Sequence, residues 1–81
     1  MRKIRATMKK LSITAIIEKD PEGWYVGQLE EFPEVISQGK TIEELNTNLI
    51  SALNDLIEIQ RESTLAQYKG KKIIRRKLTF V

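Results

Sequence analysis

The chain has 81 residues, no cysteine, no histidine and a formal charge of +3. That makes one small domain, since independent domains begin near ~50 residues, and a core that covers only roughly 60% of the unfolded surface. Without Cys or His there is no disulfide frame and no ordinary zinc site, and the two commonest nucleophile–base chemistries are excluded.

Residues 1–8 read as a basic N-terminal extension, a disordered tail, with a short strand through Ile4 as the alternative. Met8-Lys9-Lys10 is itself an ordinary start, and residues 9–81 then form a single domain. Leu11 to Ile17 is β-branched and alternates at period two, which predicts a strand with Leu11, Ile13, Ala15 and Ile17 on one face. Asp20-Pro21-Glu22-Gly23 is turn chemistry: Pro presets φ and Gly accepts a positive φ. Trp24 to Leu29 is the return strand of a hairpin, and Gly27 inside it signals a bulge or a close approach of another backbone. After Glu30-Glu31-Phe32-Pro33, Val35-Ile36-Ser37 forms a short third strand.

The helix has the clearest signal. Thr41 precedes Ile42, and Glu44 lies three residues after Thr41, which is a capping box. Glu43 and Glu44 suit the positive end of the helix dipole. Apolar residues at 42, 45, 49, 52, 53, 56 and 57 carry helical spacing, so the helix is expected from about Ile42 to about Glu62. Tyr68-Lys69-Gly70-Lys71 is a loop, and Ile73 to Phe80 is a last strand. One face of that strand carries Ile74, Arg76, Leu78 and Phe80; its charges mark an edge.

The order β-β-β-α-β predicts an α+β domain: a four-stranded mixed sheet of order 3-2-1-4 with one helix on one face. The helix returns the last strand parallel to the first by a right-handed crossover. The other sheet face has no helix to cover it and would carry some of Ile16, Trp24, Tyr25 and Val26. Self-association, most simply a homodimer, follows as the expectation. No apolar run approaches the ~20 residues of a membrane span, and no signal-peptide core follows the basic start, so the cytoplasm is the expected location.

The charge is segregated. Residues 1–17 carry +5, residues 63–81 carry +6, and residues 18–62 hold all eleven acids against three cations, a net −8. Partners are therefore argued from the distribution and not from the +3.

Three stretches in this order resemble the HicB family of antitoxins: Asp20-Pro21-Glu22-Gly23-Trp24-Tyr25-Val26-Gly27, then Phe32-Pro33-Glu34, then Ser37-Gln38-Gly39-Lys40-Thr41-Ile42-Glu43-Glu44-Leu45. The resemblance covers about residues 9–62. It implies a partial ribonuclease-H-like fold, in agreement with the topology above. It also implies a non-enzymatic antitoxin role in a type II toxin–antitoxin pair, binding and neutralising a small basic RNA-cleaving toxin of the HicA type. The family often has Pro-Gly-Cys where this chain has Pro33-Glu34-Val35. Many members also carry a C-terminal DNA-binding module, for which nothing after Val81 leaves room, so direct DNA binding is not expected.

Ribonuclease-H-type cleavage needs carboxylates converging on two metal ions, and the middle of the first strand has none. Asp55 and Glu58 share a helix face without facing partners, so neither catalytic residues nor a metal or cofactor are expected. The candidate partner contacts are Asp20, Glu22, Glu30, Glu31 and Glu34, which turn and loop positions bring near one end of the meander. Such a surface would compete with RNA for a toxin's cations; exposed turns are also simply acidic in many proteins. Gly23, Gly39, Thr41 and Glu44 read as structural. Two alternatives stand: a nucleic-acid-binding module using the basic last strand, and an orphan homo-oligomeric HicB-like protein without a toxin.

Overall fold

The computed structural model describes residues 11–79. The expected N-terminal extension and Phe80 of the expected last strand lie outside the described residues. Three strands and one helix are present: β1 (Ala15–Lys19), β2 (Tyr25–Leu29), β3 (Ile36–Gly39) and α1 (Ile42–Ala66). They form an α+β unit, an antiparallel meander of order β1-β2-β3 with α1 packed on one face.

The two hairpin turns are built by different means. In the first, Asp20 is the organiser. Its Oδ1 accepts from the backbone N–H groups of Glu22 and Trp24, both at 2.9 Å, while its carbonyl accepts from Gly23 N. Gly23 takes φ 92°, which a side chain would strain. The second turn is closed by Val35 N donating to Phe32 O at 2.8 Å, with Pro33 and Glu34 at its tip. The ladder is unbroken: Ile17 faces Gly27, and Gly27 faces Ser37. No bulge occurs at Gly27. Its missing side chain admits Leu45 and Leu49 of α1 instead, whose methyls lie 3.0 and 3.1 Å from where a Cβ would stand.

Gly39 does the same at the helix start, where a Cβ would meet Leu45 N at 2.6 Å. The cap follows the sequence pattern. Thr41 Oγ1 accepts from Glu44 N at 3.0 Å, and Glu44 Oε1 accepts from Lys40 N at 2.9 Å, one residue before the cap. α1 runs four residues past the expected end because Ser63-Thr64-Leu65-Ala66 contains no breaker; Gly70, at φ 81°, comes later.

Among the described residues the core is Leu29, Val35, Leu45 and Leu49, with Ala15, Ile17, Tyr25, Phe32 and Leu53 among those packed around it. The outward sheet face places Ile16, Val26 and Ile36 across the three strands, with Ile16 and Ile36 more than half exposed. Tyr25 points the other way, against the core, and Lys40 Nζ stands 5.4 Å over the Trp24 ring. No helix among the described residues is long and apolar enough to cross a membrane.

The expected fourth strand is where sequence and structure part. Residues 72–79 carry no strand, and among the described residues β1 pairs with β2 alone. A parallel strand needs its partner's edge to exist at all. This segment starts from a helix end well beyond the sheet, and it carries Lys72, Arg75, Arg76 and Lys77, which favour water.

Candidate functional site

The five candidate acids separate into two groups at opposite ends of β2. Asp20 and Glu22 lie in the β1–β2 turn; Glu30, Glu31 and Glu34 lie in the β2–β3 connection. The span of β2 between them is about 17 Å. One compact acidic surface is thus not formed. The reason is the meander itself: successive turns alternate between the two ends of the strands.

The acids also differ in what they already hold. Asp20 is committed to its own turn. Glu31 Oε1 accepts from Thr14 N at 2.9 Å, and Glu30 N donates to Thr14 O at 2.9 Å, so this pair extends the β1–β2 contact past the strand end. Glu22, Glu30 and Glu34 are exposed at their turns. Glu34 sits beside Pro33, whose carbonyl accepts from Gln28 Nε2 at 2.7 Å, so the tip is held against β2.

A groove opens beside the second group. Its volume is about 800 Å³, and it lies between the β2–β3 connection and the second half of α1. Phe32, Leu56 and Ile57 supply its apolar surface, Glu31 and Glu34 stand on one wall, and Arg61 and Arg75 on the other. Sequence reading missed this groove, although a signal for it exists. Five-residue strands span about 17 Å, whereas α1, at 25 residues, spans about 37 Å. Apolar positions as late as 56 and 57 must therefore overhang the sheet. Paired with Phe32 in an exposed turn, they make a partly covered apolar surface.

Chemically, this arrangement offers an apolar floor with charges of both signs at its margins. That suits a polypeptide surface, which buries apolar area and pairs charges at its rim. Over 58 residues the chain is 38% identical to the UPF0150 protein ssr1258 of Synechocystis sp. (strain PCC 6803), a match spanning 70% of this chain and 84% of the relative. The chain belongs to the UPF0150 family. No family model matches it, and no solved structure does. Within this UPF0150 chain, the Thr41–Glu44 cap and the Gly27 and Gly39 approaches fix α1 on the sheet, and α1 in turn sets one wall of the groove.

Proposed function

We propose that the chain is an antitoxin-like binding protein that neutralises a small, basic, RNA-cleaving toxin by covering the surface with which the toxin holds RNA. The observation that carries this reading is the groove at the β2–β3 end: an apolar floor of Phe32, Leu56 and Ile57 beside a wall of exposed carboxylates. A ribonuclease presents Lys and Arg to phosphate. Carboxylates at a groove margin attract those cations and speed encounter, and the apolar floor supplies the area that holds the complex. Membership in the UPF0150 family is compatible with a HicB-like antitoxin, and the segregated charge is consistent with it. The reading assigns no catalysis, metal or cofactor to the chain and places it in the cytoplasm. It also keeps the ribonuclease-H-like sheet of order 3-2-1-4, with the fourth strand beside β1.

A second reading is favoured by one observation. Lys71, Lys72, Arg75, Arg76 and Lys77 are all exposed on one short segment, as a phosphate-binding stripe requires. Steeply salt-dependent binding of RNA or DNA by the isolated chain would support it.

Co-expression with the product of the neighbouring small open reading frame separates the two. A toxic product that this chain binds and silences is the expected result. Glu30→Lys with Glu34→Lys should then weaken the complex by about tenfold, mostly through slower association, with the fold intact. Glu31 is left unchanged because it also holds Thr14 N. A product that is harmless, or toxic yet unbound, overturns the antitoxin reading.

A further inference from the structure

The helix does not cover the whole sheet. α1 lies over β3 and β2 and stands off β1. The space left beside β1 is a cleft of about 330 Å³, with Ile13, Ala15 and Leu29 on the sheet side and Leu49, Ile50 and Leu53 on the helix side. Among the described residues, Asn46 is the one polar residue lining it, and Ala15 is the smallest side chain that does so. The same side of β1 is, among the described residues, its unpaired hydrogen-bonding edge, an open template for another strand.

The chain also carries a segment made to fill such a space. Ile74 and Leu78 lie four residues apart, so they share one face of an extended strand, and they are 93% and 71% exposed. On the opposite face stand Ile73, Arg75 and Lys77. Beside β1, that opposite face would meet Ile16 and Glu18, which point outward from β1. An apolar residue thus comes next to Ile16, and cations come next to the Glu18 carboxylate. Arg76 falls between Ile74 and Leu78 on the same face, so its stem must lie along the apolar wall for its head to reach water.

The segment does not occupy the cleft of its own chain. α1 continues thirteen residues beyond Leu53 to Ala66, about 20 Å of helix. The chain then spends its reach on a turn: Tyr68 N donates to Leu65 O, Lys69 N to Ala66 O and Lys71 N to Tyr68 O. The tail therefore lies against the overhang, with Arg75 beside Thr64 and Leu65, and Leu78 beside Arg61. Reaching Leu53 from there requires that turn to be pulled out straight. A second copy can insert the same segment without disturbing either turn.

We infer that the fourth strand of the sheet is Ile73–Leu78 of a second copy, seated in the cleft between β1 and α1 and running parallel to β1. Cleft and tail are on the same chain, so two copies can exchange tails reciprocally, and that exchange closes as a twofold dimer. It covers Ile74 and Leu78, the two most exposed large apolar residues of the described chain, and removes the free edge of β1. The inference rests on the four-stranded reading of the sheet and is independent of the toxin.

The chain has no cysteine, so an introduced pair reports cleanly. The variant carrying Ile16→Cys and Ile73→Cys, oxidised without any partner protein, should run at twice the chain mass on a non-reducing gel. Mixing the two single variants should give the same cross-link between chains. A disulfide closing within one chain shows that the tail inserts into its own cleft and overturns the inference. So does a chain of residues 1–81 that sediments as a monomer at about 100 µM, a concentration at which weak dimers form. Independently, Ile74→Asp with Leu78→Asp should weaken dimerisation by about 100-fold while the helical circular dichroism persists. Dimers of unchanged affinity in that variant overturn the inference as well. Toxin binding plays no part in any of these readouts, so failure here and failure of the antitoxin reading are separate results.

Discussion

The two halves of α1 live in different surroundings. From Ile42 to Leu53 the helix is fastened to the sheet: Leu45 is fully buried, Leu49 nearly so, Asn48 Nδ2 donates to Gln38 O at 2.9 Å, and two glycines let the backbones close in. From Glu58 onward every residue through Thr79 is exposed, including Ile59, Leu65 and Ile74. The contrast separates local from non-local order. A helix makes its hydrogen bonds within itself, so once nucleated on the sheet it runs on as far as propensity allows. A strand cannot do so. The tail has strand chemistry and no strand, because its hydrogen-bonding partner has to be brought to it.

The strongest way to break this contrast is to remove its anchor. Leu45→Ala empties the space facing Gly27, and it should cost about 3 kcal/mol of unfolding free energy. Small domains have only about 5–15 kcal/mol in total, so the shift in urea midpoint will be large. Protein concentration must be held fixed, because any self-association adds to the apparent stability. A loss under ~1 kcal/mol would mean that the first half of α1 is not what holds the molecule together.

A smaller effect is expected at the cap. Thr41→Ala removes the acceptor for Glu44 N and should cost about 1 kcal/mol, read as a lower unfolding midpoint at unchanged slope. Glu44 Oε1 keeps its bond from Lys40 N, which limits the damage. An unchanged midpoint would place the start of the helix elsewhere.

What was legible in the sequence follows the same division. The capping box, the Asp20–Gly23 turn and the alternation from Leu11 to Ile17 are local signals; cap and turn stand where expected, while β1 runs Ala15–Lys19 and starts four residues after the expected Leu11. Lost were the features that depend on distance in space. The strand expected from Ile73 to Phe80 rests on β-branching and alternation alone, which say nothing about whether an edge is within reach. Turn residues alone carry no direction, so they do not separate the five acids; β2 puts Asp20 and Glu22 at one end and Glu30, Glu31 and Glu34 at the other. Glu31 looked like a free surface charge, and only the fold reveals that it holds Thr14 N.

The finest test compares one kind of side chain in the two halves. Ile59 is 62% exposed on the overhanging half and lines neither the groove nor the cleft. Ile59→Ala should change the unfolding free energy by less than about 0.5 kcal/mol. Ala is the better helix former by a few tenths of a kcal/mol, so even a slight gain is consistent. Set beside Leu45→Ala, the pair measures how much of α1 is held by the sheet. A loss of about 2 kcal/mol at Ile59 would mean that the overhang is covered in solution, and by more than the strand exchange beside β1 provides.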